Sequence, residues 1–116
     1  MITNFEEITV ELTEKELALV PVFVRAFGKY GKENPIKASE IVKQCNKKQP
    51  KTITEPRLRK ICNYIRSNSL LPLIATSSGY YVSNDAEEIE KQIKSLTERA
   101  NSILKCAEGL RKLKTA

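Results

Sequence analysis

Thr54-Glu55-Pro56-Arg57-Leu58-Arg59-Lys60-Ile61-Cys62-Asn63-Tyr64-Ile65-Arg66, followed by Leu73-Ile74-Ala75-Thr76-Ser77-Ser78-Gly79-Tyr80-Tyr81-Val82, is the stretch on which the fold turns. Its first part has the grammar of a helix. Thr54 is a good N-cap, Glu55 suits the positive end of the helix dipole, and Pro56 is tolerated in the first turn. Leu58, Ile61, Cys62 and Ile65 recur at i, i+3, i+4 and i+7, which predicts a narrow core stripe. Pro56, Lys60, Asn63 and Ser67 point the opposite way. Arg59 and Arg66 flank one side of that outer face, and Arg57 and Tyr64 flank the other. Asn68 ends the helix. The second part predicts a hairpin. Leu71, Leu73 and Ile74 enter a strand, residues 76–79 form the tip, and Tyr80-Tyr81-Val82 returns. Alternation puts Tyr80 and Tyr81 on opposite faces, one on the core and one outward.

Working towards the N-terminus, residues 46–53 are polar and basic and read as a connecting turn. Before them, residues 38–47 predict a short helix with Ile41, Val42 and Cys45 inside, and its start has no clean cap. Asn34-Pro35 marks a turn, and Ile36 precedes that helix. Thr13-Glu14-Lys15-Glu16 is a capping box. The helix it opens runs towards Tyr30, with Leu17, Val20, Phe23, Val24 and Phe27 as its core face. Pro21 lies inside it and predicts a kink or a split, and Gly28 and Gly31 end it. Residues 1–12 alternate weakly through Ile8, Val10 and Leu12, which suits a short strand or an extended arm.

Towards the C-terminus, Asp85 and Glu88 form a second capping box. Ile89, Ile93, Leu96, Ala100, Ile103, Ala107 and Leu110 alternate spacings of four and three, a heptad seam that Leu104 and Leu113 broaden. Such a helix spans roughly 40 Å, more than a small three-helix core can cover. It either pairs with a second copy through Ile93, Leu96, Ala100, Ile103, Ala107 and Leu110, or folds back on its own domain. The expected division is residues 1–84 as one domain and 85–116 as a C-terminal helix.

The chain has 116 residues and a net charge of +6. Residues 1–16 carry five acids and one base, whereas residues 25–66 carry twelve bases and three acids, a net of +9. The positive charge is thus concentrated around the central helix, where it would attract polyanions. A solvated surface is the plain alternative. There is no long apolar run and no signal-peptide pattern, so a cytoplasmic protein without membrane contact is the default expectation. Cys45, Cys62 and Cys106 are odd in number and widely spaced, which argues against a disulfide framework or a zinc site. The absence of histidine removes the commonest general base. With no Gly-rich phosphate loop, nucleophile elbow or metal-ligand spacing, neither a cofactor nor an enzyme is expected.

The central helix is the strongest functional candidate. Arg can grip guanine bidentately, Asn can read adenine, and Lys suits guanine or phosphate. Arg57, Arg59, Lys60 and Asn63 have spacings that fit a groove-facing surface, and Arg66 lies further along, towards the backbone. Lys47, Lys48 and Lys51 stand just before the helix, where phosphates would pass. Ser77 and Ser78 at the hairpin tip offer hydroxyls and backbone N–H groups to phosphate oxygens. Single-stranded RNA is disfavoured for want of an aromatic stacking platform.

The run Arg57-Leu58-Arg59-Lys60-Ile61, with Asn63 and Ile65-Arg66, then residues 73–82 and an acid-capped helix carrying Ser95-Leu96 and Arg99-Ala100, resembles small winged-helix proteins of bacteriophages and integrated elements. The similarity runs from about Leu12 to Leu110. It implies DNA binding in the transcription or replication control of such an element. It also implies that Arg57, Arg59, Lys60 and Asn63 face DNA, while Gly79 with Tyr80 or Tyr81 builds the wing. This chain departs from the pattern in its weakly capped second helix and in a wing tip without a basic residue. The expected fold is mainly α with a small β-hairpin wing, a winged helix-turn-helix followed by a long C-terminal helix. The expected partners are double-stranded DNA and a second copy of the chain. A protein-interaction module built on the same fold is the rival.

Overall fold

The computed structural model describes residues 10–48 and 53–114. The order is α1 (Glu14–Phe27), α2 (Ala38–Lys48), α3 (Glu55–Ser67), β1 (Leu73–Thr76), β2 (Gly79–Val82) and α4 (Ala86–Lys114). The chain divides into two compact units, one ending at Ser83 and the other starting at Asn84. The protein is therefore mainly helical, with a small antiparallel hairpin and a long last helix.

The first unit is organised around α3. Leu58, Ile61, Cys62 and Ile65 are each fully buried, the stripe predicted from their spacing. Val20, Phe23 and Phe27 of α1, Ile41 of α2, Ile36, Ile53 and Leu73 close around them. Thr13 and Glu16 make the expected capping box, with the Glu16 N–H donating to Thr13 Oγ1 and the Thr13 N–H donating to Glu16 Oε1. Thr54 caps α3 by accepting from the Arg57 N–H.

Pro21 does not split α1, which runs unbroken across it. Pro21 and Leu17 are both exposed. The carbonyl left without its intrahelical donor therefore faces the wet side, where water can satisfy it. The helix ends at Phe27, short of Tyr30. Gly28 keeps right-handed backbone, with φ −58°. The chain stops by tightening: the Lys29 and Tyr30 N–H groups donate three residues back, to Ala26 and Phe27. The Asn34 side chain then accepts from the Gly31 N–H at 2.9 Å.

Further differences are local. Helix α2 extends to Lys48, one residue past its expected end, so the connecting turn is shorter than residues 46–53. Asn46 spans that connection, accepting from the Ile53 N–H and donating to the Ile53 carbonyl at 3.3 and 3.2 Å. Residues 10–12 form no strand, and Ile8 lies outside the described residues. Strand β1 starts at Leu73, two residues after Leu71. Thr76 pairs with Gly79, which leaves Ser77 and Ser78 as a two-residue turn.

Ile36 extends the hairpin by a bridge to Tyr80, with N–H to carbonyl bonds of 2.9 and 2.8 Å in the two directions. The Tyr80 ring packs on Phe27, with centroids 5.8 Å apart. On the opposite face Tyr81 pairs with Ile74, and both are buried. Neither tyrosine therefore faces fully outward, contrary to the alternation argument.

In the second unit, α4 is a single 29-residue helix. Asp85 Oδ1 accepts from the Glu87 N–H at its start. No described residue of α4 is buried.

Candidate nucleic-acid interface

Helix α3 buries one face so completely that its polar side chains must share the other. They sort into two strips. Arg59, Asn63 and Arg66 lie at i, i+4 and i+7 along one side. Arg59 and Asn63 are exposed, Arg66 is half-buried, and Arg66 Nη2 donates to Asn63 Oδ1 at 2.8 Å. That bond fixes the Asn63 amide and leaves its NH2 group as a donor towards an incoming acceptor.

Arg57 and Lys60 form the other strip, and the chain itself occupies it. Arg57 Nε and Nη2 donate to Glu16 Oε2 and Oε1 at 2.7 and 2.6 Å. Its Nη1 donates to the Val10 carbonyl at 2.8 Å and its Nη2 to the Glu11 carbonyl at 3.0 Å. Arg57 thus ties α3 to α1 and to the segment before it, and does not stand with the open strip as a groove-facing residue. The Arg57 guanidinium holds the Glu16 carboxyl below the ordinary carboxylate value, against the opposing effect of burial. Lys60 Nζ lies 4.0 Å from Glu11 Oε1.

Beneath the open strip, Tyr80 of β2 faces Cys62 of α3. Burial pushes the Cys62 thiol up to about 12. It raises the Tyr80 phenol to about 12 as well, aided by Cys62, while Arg66 and Arg59 pull the other way. Both groups are neutral near pH 7 and act as packing that carries the arginines.

The remaining expected contacts are scattered. Lys47 is exposed on the last turn of α2, Lys48 ends that helix, and Lys51 lies outside the described residues. Ser77 and Ser78 are exposed at the hairpin tip. The Ser78 N–H is used inside the turn, donating to Thr76 Oγ1 at 3.2 Å, so the tip has fewer donors for phosphate than expected. On α4, Ile93, Leu96, Ala100, Ile103, Ala107 and Leu110 are all exposed.

An apolar hollow of about 400 Å³ lies between α1 and α2, lined by Leu19, Val22, Phe23, Ala26 and Cys45 among others. Its lining carries no carboxylate and no basic side chain. Among the described residues no cluster of three metal-ligating side chains occurs. No helix among them is long and apolar enough to cross a membrane.

The Arg57 clamp had no signal in the periodicity of the sequence, because its partners lie more than forty positions away. The capping box at Thr13 locates Glu16 but commits it only to its own helix end. In comparisons with known proteins, no family model matches the chain, and neither a curated protein nor a solved structure matches it significantly.

Proposed function

We propose that this chain is a winged helix-turn-helix protein that binds duplex DNA, with α3 in the major groove and the β1–β2 hairpin beside it. The observation that carries this reading is the Arg59–Asn63–Arg66 strip, with Arg59 and Asn63 exposed, on a helix whose other face is wholly buried. Rigid backing of this kind suits a reading helix, because base contacts need side chains held in register. The element order, with Ile36 bridging to β2, is that expected of a wing attached to a three-helix core. The concentration of charge in residues 25–66 supports a polyanionic partner.

In this reading the protein is a cytoplasmic homodimer, paired through α4. Its two α3 helices meet half-sites about one helical turn apart. Its role is regulation of transcription, or assistance in replication, for a phage or mobile element, without a catalytic step. The exposed α4 seam also suits the rival, a protein-interaction module with no DNA affinity.

The test is fluorescence anisotropy of a labelled random-sequence duplex across a salt series. Affinity falling steeply with salt supports the reading. Arg59→Ala and Lys60→Ala should each weaken binding to every duplex and flatten the salt slope by about one. Absence of binding at low salt overturns it in favour of the interaction module.

A further inference from the structure

We infer that the acidic segment preceding α1 is a tethered competitor for nucleic acid on the Lys60 side of α3. The inference rests on the DNA-binding reading of that helix. Three observations meet at one place. The described part of that segment, residues 10–13, carries Glu11 and no base, the reverse of the charge on the helix it reaches. Arg57 takes the carbonyls of both Val10 and Glu11, which fixes the path of the chain beside the first turns of α3. The Glu11 carboxylate then lies 4.0 Å from Lys60 Nζ.

Arg57 and Lys60 are three positions apart and share one side of the helix. The segment therefore offers a carboxylate where a phosphate oxygen would otherwise meet Lys60. Its two contacts differ in strength. The Arg57 bonds are short, and the Arg57 side chain is largely buried. The Glu11–Lys60 pair is long, and the Glu11 side chain is 95 % exposed. A duplex can displace the carboxylate while Arg57 keeps the segment anchored alongside. The device lowers affinity by a modest factor, alike for non-specific and preferred sites, and spares the Arg59–Asn63–Arg66 strip.

The test compares Glu11→Gln with the intact full-length chain, by anisotropy of a labelled random duplex over a salt series. Glu98→Gln, an equal change of charge in the other unit, is the control. Because Glu11 is exposed, its substitution leaves the core intact. Glu11→Gln should bind about two- to fivefold tighter, the range of an exposed ion pair. Its salt slope should steepen by less than one, because no freed carboxylate takes a cation back from solution when the duplex binds. Glu98→Gln should do neither, and Glu11→Gln should lose its effect in a Lys60→Gln background. If the intact chain binds and Glu11→Gln matches it or merely matches Glu98→Gln, the competitor is refuted while DNA binding stands. If neither the intact chain nor Glu11→Gln binds at low salt, both readings fall.

Discussion

Arg57 of α3 closes a two-point fork on Glu16 of α1, with bonds of 2.7 and 2.6 Å between side chains that are only 13 % and 12 % exposed. The fork sets how the central helix lies against the first. Removing one partner leaves a largely buried charge with fewer ligands, which costs more than the intact pair contributes. Arg57→Ala should lower the unfolding free energy by about 2–3 kcal/mol and Glu16→Gln by about 1–2 kcal/mol, read from urea denaturation. A double variant costing little more than Arg57→Ala would show the coupling. Simple additivity would show that the two side chains act apart.

The same fork predicts acid sensitivity. The Glu16 carboxyl titrates below its ordinary value of 4.5, chiefly because Arg57 donates to it. A lowered folded-state value means that the unfolded chain binds the proton more readily. The stabilisation is therefore complete above the unfolded value and fades as pH falls through the folded one. Between about pH 5 and pH 3 the natural chain should lose more stability than Glu16→Gln, so that their denaturation midpoints converge. Parallel loss in both would remove Glu16 as the source.

Two residues with positive φ predict opposite effects. Gly79 has φ +128°, and a Cβ there would sit 2.5 Å from the Ile36 carbonyl oxygen. Gly79→Ala should break the Ile36–Tyr80 bridge and cost at least about 1–3 kcal/mol. Ser69 has φ +54° just after α3, where the Leu70 N–H donates to the Ile65 carbonyl at 3.0 Å. That is a Schellman ending with serine where glycine is favoured. Ser69→Gly should stabilise by about 0.5–1 kcal/mol. Thermal unfolding of the two variants checks both signs.

The thiols should separate by reactivity. Cys62 is fully buried and its thiol is pushed up to about 12 by burial, whereas Cys106 is exposed on α4. Only the thiolate attacks a disulfide reagent. In the natural chain Cys106 should label first. In a Cys45→Ala, Cys106→Ala background the remaining thiol should label only as fast as the protein unfolds. Prompt labelling of Cys62 would mean that α3 and β2 part readily.

What the sequence discloses and what it hides divide along a physical line. Local rules were enough at the Thr13 and Thr54 caps, the Leu58–Ile65 stripe, the hairpin and the unbroken last helix. They fail where distant segments meet. Periodicity put Arg57 on the outer side of α3, which is correct, but the chain before α1 passes over that side and claims the guanidinium. Pro21 shows a second kind of limit. Its cost depends on whether the orphaned carbonyl is wet, and no propensity carries that information. The candidate site was thus legible as a helix and a face, and the claim of the preceding segment on the Arg57 side of that face was not.

The α4 seam yields the last prediction. Ile103 and Leu110 are each 68 % exposed, and Leu96 is 37 % exposed. Apolar side chains repeating every three and four positions along a 29-residue helix need a partner surface to leave water. On the proposed reading, a second copy covers the seam symmetrically, and the dimer carries two α3 helices for one duplex. Light scattering at micromolar concentration should then give twice the chain mass. Ile103→Glu should return the protein to monomer, while the urea midpoint of the α1–β2 unit stays unchanged. It should also weaken DNA binding, since two linked sites bind far more tightly than one. A natural chain that is monomeric would sink the pairing, and an Ile103→Glu monomer binding DNA undiminished would detach it from recognition.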